Sequence, residues 1–450
     1  MVTTNGAYND DTCDDNDPRH HRHQHQHQQE IEATVSEEEV AASTIPIPMP
    51  SPTSASTATA TTAATRPRGF VRNLVELPKA ELHIHLEGAM RRTTLVELCA
   101  KYSITPVPPD TAHQRFEDFS AFVEVYIAAC NCLREESDIY RLVFEIALDL
   151  QQQNVTWVEI APSLTFYQER FGGFAPTLQV LAAAAEAAEV ATGVGFGFII
   201  SIERQLGVYA AEQLANIVAQ QTQPQPQPQA TATATAAGTE EESTPSPSLL
   251  PLLQICGRPA IVGFGLHGPE EKNPPSQFAK AFDIACGRST NTQTSTLVSV
   301  PHAGEIAPSL GQGAQSVIDA VTLLRANRIG HGVLAYGNDA AMTLLENNNT
   351  NICLDVCVSS NYYLRVVPSF HEHPLPLFLK KEIPCTINSD DPLLFGCTIL
   401  SEYELCRAEL QMEDRILAQC ARYSFQYSCA PEHIKTMNIQ NIDRWLASTL

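Results

Sequence analysis

The chain is 450 residues long and 44% hydrophobic, which is enough for one large core, and an α/β barrel can reach this length. Its formal net charge of −23 argues against binding to a nucleic-acid backbone, which requires clustered Lys and Arg side chains. The 13 cysteines form no CxxC pair, so composition predicts a reduced, cytoplasmic protein that acts on a small neutral or cationic substrate.

Two low-complexity tracts interrupt the segments that can fold. Residues 1–66 contain too few large apolar side chains to offset the entropy of ordering, and they are predicted to form a disordered tail. The tail lacks the apolar region of a secretory signal, and the chain has no segment typical of a membrane span. A second tract, at about 221–248, carries a Gln-Pro repeat and is predicted to be a loop inserted in a single domain over 67–450.

Eight short apolar runs alternate with helical patterns along the rest of the chain. Near-continuous apolar strands that alternate with helices indicate a parallel sheet with helices on its outside. Eight such units predict an α/β fold of the closed (β/α)₈ type, the TIM barrel. The predicted strands are 80–86, 155–163, 195–203, 261–268, 297–305, 327–333, 351–361 and 385–392.

Polar residues collect at the carboxyl ends of these predicted strands, which is the edge where barrel enzymes carry out their chemistry. His83 and His85 are two residues apart, so both side chains point to the same side of the first strand. His302 lies near the end of the fifth run and Asp390 near the end of the eighth. Three imidazoles and one carboxylate suit a Zn²⁺ ion with one position left for water, whose pKa the metal lowers.

Three further polar residues lie at the same strand ends. Glu305, His331 and Asp391 remain available for proton transfer and for orienting the substrate. A two-metal site would require a bridging carboxylate or a modified Lys at the end of the fourth strand. That segment, IVGFGLHGPE, has no Lys at its end, so one metal is favoured. The HxE and PCxxC zinc signature of cytidine-type deaminases is absent from the sequence.

Four segments carry a resemblance to a known family. PKAELHIHLEGAM, PHAGE, RIGHGV and INSDDPLLFG occur in this order and resemble the motifs of the adenosine deaminase family, from about Leu77 to about Tyr403. The resemblance implies hydrolysis of a 6-amino group on a purine to a 6-oxo group with release of ammonia. It implies one zinc ion per chain. It also implies that Asp390 is a catalytic residue and that His85 contacts the substrate. The implied ligands are His83, His85, His302 and Asp390.

The resemblance also implies roles around the substrate. Glu305 matches the acid that protonates purine N1, and Asp391 matches the residue that bonds N7. His331 matches the residue that orients and deprotonates the attacking water, and its positive form can stabilise the developing oxyanion. Gly268 matches the backbone donor to N3, and Glu87 stands near the expected position of a ribose 5′-hydroxyl.

Departures from the family pattern bear on the substrate. Glu87 replaces the usual Asp of HLDG, and Ala161 stands where many members carry Arg. RIGHG differs from the RIDHG of the adenine-specific branch, which favours the nucleoside side of the family. GFGLHGPEEKNPP and DDPLLFG are similar to a bacterial-type branch that contains adenosine and aminodeoxyfutalosine deaminases.

The substrate predicted from these features is adenosine or 2′-deoxyadenosine, with Glu87 accepting a hydrogen bond from a ribose hydroxyl. Adenine, aminodeoxyfutalosine and an N6-substituted AMP stay open as alternative substrates of the same chemistry. A two-metal hydrolase of ring amides and a barrel that binds a partner without catalysis stay open as well. The expected partner is a small aminopurine nucleoside, with no nucleic acid and no membrane, and the oligomeric state is left open.

Overall fold

The structure, a computed structural model, describes residues 72–222, 252–288, 297–347 and 351–448. The predicted tail and the predicted insertion lie outside these residues, except that 221 and 222 end a helix. The described cysteines are all free thiols, and most are buried. Within the same ranges, no helix has the length and apolar character needed to cross a membrane.

Eight parallel strands form a ring in which each strand pairs with the next one along the chain. The last strand meets the first through a parallel bridge between Ile84 and Asp390. The backbone N–H of Asp390 donates to the carbonyl of His83, and that of His85 donates to the carbonyl of Asp390, both at 3.0 Å. The strands are β1 Lys79–His85, β2 Val155–Ala161, β3 Gly195–Glu203, β4 Ile261–His267, β5 Val298–Ala303, β6 Arg328–His331, β7 Cys353–Val356 and β8 Cys385–Ile387.

The helices lie between the strands and after the last of them, as the prediction of a TIM barrel requires. Three of them, α1 to α3, occupy the long connection from β1 to β2. The helices are α1 Arg92–Lys101, α2 Phe119–Cys130, α3 Glu136–Gln152, α4 Phe174–Thr192, α5 Gly207–Thr222, α6 Ala279–Ala285, α7 Leu310–Thr322, α8 Asp339–Glu346, α9 Val358–Tyr363, α10 Leu375–Lys380, α11 Pro392–Phe395, α12 Ile399–Ala408, α13 Asp414–Gln426 and α14 Glu432–Ala447.

The strands are buried on both faces, which explains their near-continuous apolar sequences: every residue of β1 and of β3 is buried. Each of the eight predicted strands overlaps an observed strand, so the prediction of a (β/α)₈ barrel is confirmed. The predicted strand over 351–361 is too long, because β7 ends at Val356 and the chain then turns into α9. The carboxylate of Glu402 accepts the N–H of Ser359 at 3.0 Å and so satisfies a donor in the first turn of that helix.

A buried network of ion pairs lies inside the barrel. Arg328 of β6 reaches Glu159 of β2 at 2.7 Å and Asp355 of β7 at 2.8 Å, and all three side chains are buried. Because β2 and β6 lie on opposite sides of the ring, this network crosses the barrel. Each buried charge has an opposite partner, which offsets the cost of its desolvation.

Candidate active site

The four predicted metal ligands come together at the carboxyl ends of β1, β5 and β8. Nε2 of His83 and Nε2 of His85 each lie 3.3 Å from Oδ1 of Asp390. The ring of His302 lies 4.5 Å from that of His83 and 5.4 Å from that of His85, measured between centroids. All four side chains are buried, so the strand-end pattern produces one compact cluster from residues that are far apart in the chain.

The chemistry of this cluster fits a metal ion. The three histidines offer one ring nitrogen each within 4.8 Å of one another, and Asp390 belongs to an overlapping group. Ring nitrogens of all three histidines have no hydrogen-bond partner among the described residues, although buried polar atoms are normally paired. Burial and the adjacent imidazole of His83 lower the pKa of His302, which keeps it in the neutral form that binds metals. Burial opposes the ionisation of Asp390, but His83 and His85 hold its pKa well below the usual range.

Glu305 lies directly after β5 and is held by a second buried carboxylate. Glu270 accepts the backbone N–H groups of Gly304 at 3.0 Å, of Glu305 at 2.6 Å and of Ile306 at 3.2 Å, and it also accepts the hydroxyl of Ser316. Burial, with the charges of Asp390 and Glu270, raises the pKa of Glu305 well above its usual value. Glu305 is therefore positioned as a carboxylic acid that can donate a proton.

Asp391 is a second buried carboxyl group in the same cluster. Burial and the neighbouring carboxylate of Asp390 raise the pKa of Asp391 well above its usual value. Its Oδ1 fits so closely against Gly88 that a Cβ atom at that glycine would lie 1.7 Å away. The glycine of the HLEG segment is therefore required by the position of Asp391.

His331 ends β6 in a left-handed conformation with φ of 63°, and a chain of hydrogen bonds fixes its ring. The backbone N–H of Leu375 donates to Nδ1 of His373 at 3.1 Å, so Nε2 of His373 carries a proton and donates to Oδ1 of Asn361 at 3.1 Å. The amide of Asn361 then donates to Nδ1 of His331 at 3.3 Å. Nε2 of His331 therefore carries the proton and points toward Glu305 at 3.6 Å.

Burial and the imidazole of His83 lower the pKa of His331 to about 3, so its ring is neutral at physiological pH. A neutral ring with the proton on Nε2 donates a hydrogen bond into the site and does not accept a proton there. This tautomer favours the predicted role of stabilising an oxyanion over the predicted role of deprotonating water.

One cavity joins these groups. Its apolar wall is the face of α2 that carries Phe119, Phe122 and Val123. Gly268, which follows β4 and has a φ of 92°, also lines the cavity. A φ of 92° is a backbone conformation that other residues rarely adopt, so glycine is favoured at this position. The lining residues are His85, Phe119, Phe122, Val123, Tyr126, Ser163, His267, Gly268, His302, Glu305, Asp390 and Asp391.

Glu87 lies behind the cavity wall, and here the structure differs from the prediction that it faces the mouth. Its fully buried carboxylate accepts the hydroxyl of Tyr126 at 2.8 Å, the backbone N–H of Ser163 at 3.0 Å and the hydroxyl of Tyr167 at 2.7 Å. Tyr126 and Ser163 line the cavity, whereas Glu87 does not. In this structure Glu87 holds two lining residues in place, and its three donors leave it little capacity to bind a ribose hydroxyl.

Several residues of the site were not predicted from the sequence. Glu270 holds the backbone at Glu305, and Asn361 of α9 bonds to the ring of His331. Glu203 contacts His267, which lines the cavity. The signal that could have indicated His267 and Glu203 is their position as the last residues of β4 and β3, the same edge that carries the ligands.

Comparisons with known proteins agree with this geometry. A family model described as adenosine deaminase matches residues 78–247 and 249–445. The chain is 31% identical over 382 residues to a Streptomyces virginiae protein provisionally named an adenosine/adenine deaminase, covering 83% of this chain and 98% of that protein. It is 29% identical over 391 residues to the aminodeoxyfutalosine deaminase of Streptomyces coelicolor, covering 85% of this chain and 88% of that one. The solved adenine deaminase of Arthrobacter aurescens shares the fold, with a TM-score of 0.66 and 22% identity over 83% of this chain and 100% of that one.

Proposed function

The chain belongs to the adenosine deaminase family, and we propose that its site hydrolyses the 6-amino group of an aminopurine, with adenine as the preferred substrate. The observation that carries the proposal is the pair of buried carboxyl groups, Glu305 and Asp391, that line one cavity with His85, His302 and Asp390, and burial raises the pKa of both. A 6-aminopurine has a hydrogen-bond acceptor on each side of C6, at N1 and at N7. Two carboxylic acids that flank a metal site match that pattern.

We assign one zinc ion per chain to His83, His85, His302 and Asp390. Three neutral imidazoles and one carboxylate are ligands that zinc prefers, and soft thiolates or oxygen-rich cages would suit other metals better. Bound there, zinc supplies Lewis-acid activation of the water that adds to C6.

The residues of the chain would then divide the proton transfers among them. Glu305 donates its proton to N1, which breaks the aromaticity of the ring and makes C6 electrophilic. Asp391 donates a hydrogen bond to N7 and fixes the ring plane. His331 donates its Nε2–H to the oxygen that becomes negative as it adds to C6. Of the two protons of the water, one returns to the carboxylate of Glu305 and the other passes to the amino group, which leaves as ammonia while the product carries a 6-oxo group.

The lining of the cavity bears on the choice among aminopurines. No Lys or Arg occurs among the described lining residues, and acidic groups do, which disfavours a phosphate and therefore an N6-substituted AMP. The carboxylate of Glu87, on which the preference for a nucleoside rested, is already bonded to three donors. These observations favour adenine over the adenosine predicted from the sequence.

Adenosine is the second candidate, and one observation favours it. The hydroxyl hydrogen of Tyr126 goes to Glu87, so the 2.8 Å contact between Tyr126 and Ser163 has Ser163 as the donor. The lone pairs of Ser163 Oγ are then available at the cavity wall to accept a hydrogen bond from a ribose hydroxyl.

An ammonia-release assay on the zinc-loaded protein tests the proposal. The panel is adenine, adenosine, 2′-deoxyadenosine, aminodeoxyfutalosine, AMP and N6-methyl-AMP, and we expect the highest kcat/KM for adenine. Glu305→Gln should retain zinc and lower kcat by about 10²–10⁴-fold, because the amide has no acidic proton. Absence of ammonia from every purine at full zinc loading would overturn the proposal, and faster turnover of adenosine would select the second candidate.

A further inference from the structure

Two neighbouring helices on the outside of the barrel are packed side by side. α3 leads into β2 and α4 leads into β3, and because these strands are parallel the two helices run in the same direction. The side-chain amide of Gln151, near the end of α3, donates to the carbonyl of Thr192 at the end of α4 at 2.6 Å. At about 1.5 Å of rise per residue, Phe144 of α3 and Ala187 of α4 therefore lie within about 3 Å of the same level.

The outer surfaces of these two helices carry a group of apolar side chains. Tyr140 and Phe144 are 39% and 40% exposed, and Val190 is 76% exposed. The group, named here the α3–α4 face, consists of Tyr140, Phe144, Leu148, Val180, Ala183, Ala187 and Val190. Single exposed apolar residues are normal on a protein surface, but a group of them on two packed helices marks a surface that another molecule covers.

The charged side chains on either side of the α3–α4 face point away from it. From Asp138 onward, those of α3 have partners on α1 or at the residue before it, and those of α4 have partners in the short segment before β4. The pairs are Asp138 with Lys101, Arg141 with Glu97, Glu145 with Thr94, Asp149 with Arg91, Glu189 with Arg258, and Glu186 with the backbone N–H of Cys256. An apolar centre between charged rims is the composition of a protein interface.

A second copy of the chain fits this face in size and shape. The two helices are about 26 and 28 Å long and together about 20 Å wide, so each copy would cover roughly 500 Å² and the pair roughly 1,000 Å². That total reaches the lower limit for a specific interface. A two-fold axis parallel to the helices and midway between them places α3 of one copy over α4 of the other, so that the bulky Tyr140 and Phe144 meet the small Ala183 and Ala187.

The charge of the chain restricts where two copies can meet. With a formal net charge of −23 on each, copies repel one another over most of their surface, and the α3–α4 face brings no carboxylate against another. We propose that the chain forms a two-fold symmetric homodimer through the α3–α4 face. Because the area is at the lower limit for a specific interface, the dimer dissociates reversibly, with a Kd in the micromolar range.

Sedimentation equilibrium on the 450-residue chain tests the proposal. We expect the average mass to rise from that of a monomer toward that of a dimer between about 1 and 100 μM. The Kd should fall as salt is raised, because salt screens the repulsion between the copies. Phe144→Glu brings a charge into the centre of the face and should raise the Kd about tenfold or more, and Ala187→Arg should do the same.

A mixture of these two variants tests the two-fold arrangement. Phe144 of one copy faces the part of α4 that carries Ala187 of the other, so the introduced carboxylate and the introduced guanidinium would meet across the interface. Differently labelled Phe144→Glu and Ala187→Arg chains should therefore bind each other more tightly than either binds itself.

A matched control comes from another exposed aromatic residue. Tyr209 is 79% exposed on α5, and Tyr209→Glu adds the same charge outside the face, so it should leave the Kd unchanged. A monomer mass at every concentration would overturn the inference, and so would a dimer whose Kd is unaltered in both Phe144→Glu and Ala187→Arg. Should Phe144→Glu fail to fold, the exposed Ala187→Arg decides alone. If the chain dimerises only after residues 1–71 are deleted, that segment and not a second copy covers the face, which also overturns the inference.

Discussion

Replacing Glu87 by Ala should destabilise the folded protein much more than it changes the choice of purine. The substitution removes the acceptor of three buried donors, namely the two hydroxyls of Tyr126 and Tyr167 and the backbone N–H of Ser163. The hydroxyl of Tyr126 can turn to Ser163 Oγ, which is 2.8 Å away, so two donors stay unpaired. At about 1–3 kcal/mol for each unpaired group, the free energy of unfolding should fall by roughly 2–6 kcal/mol.

Glu87→Gln is the milder variant of the same experiment. Its amide oxygen can keep the two bonds that Oε1 accepts, from Ser163 and from Tyr167, and its NH₂ group then donates to Tyr126. We expect a loss of about 1 kcal/mol in the free energy of unfolding and an unchanged ratio of kcat/KM for adenine and adenosine. Urea unfolding of the zinc-loaded protein and steady-state kinetics measure the two quantities.

An exposed carboxylate on α2 provides the control, because Glu124→Gln should leave both the unfolding energy and the kinetics unchanged. One result would refute the structural interpretation of Glu87. If Glu87→Gln unfolds like the unmodified protein but loses tenfold or more in kcat/KM for adenosine alone, the carboxylate contacts ribose directly, as the sequence predicted.

Contacts elsewhere in the barrel lead to four more predictions. Asp390→Ala should abolish turnover and reduce bound zinc from one per chain by elemental analysis, because it removes a ligand. Asn361→Ala, which releases the ring of His331, should lower kcat roughly tenfold or more with little change in KM. Burial raises the pKa of Glu402 from 4.5 to about 7, so the contribution of its protonated form to stability is complete below pH 4.5 and is lost as pH rises through 7. Gln does not ionise, so the free energy of unfolding of Glu402→Gln, relative to that of the unmodified protein, should rise by about 2–3 kcal/mol between pH 5 and pH 8. Chemical unfolding at the two pH values measures this difference. Deleting 1–66 or 223–248 should leave kcat/KM largely intact in the same assay.

The barrel and the ligand cluster could be predicted from the sequence because both depend on local periodicity. Apolar strands with polar carboxyl ends are visible within windows of about seven to eleven residues, and the closed ring then brings His83, His302 and Asp390 together. The end of β7 could not be predicted from the local sequence. The chain continues there into α9, where the backbone N–H of Ser359 is paired with Glu402, 43 residues further along the chain.

The orientation of individual side chains at the mouth was predicted less well. Glu87 follows His85 by two residues, and that spacing predicts a side chain facing the mouth. Its position is decided instead by donors at Tyr126, Ser163 and Tyr167, which lie in two later segments of the chain. His331 shows the same limit, since its tautomer is set by the backbone of Leu375 through two intervening side chains. Hydrogen-bond partners that are remote in sequence leave no periodic signal.

The contact between β1 and β8 that closes the barrel has a consequence for biosynthesis. Asp390 both closes the ring against His83 and His85 and completes the donor set, and it is translated about 300 residues after those histidines. At about 5–20 residues per second, the nascent chain would carry its first two imidazoles for roughly 15–60 s before the carboxylate exists. If the proposed assignment of zinc to this site holds, tight binding of the metal would follow the synthesis of nearly the whole barrel. A ribosome that stalls between His302 and Asp390 would release a chain with three of the four proposed ligands and without the contact that closes the barrel.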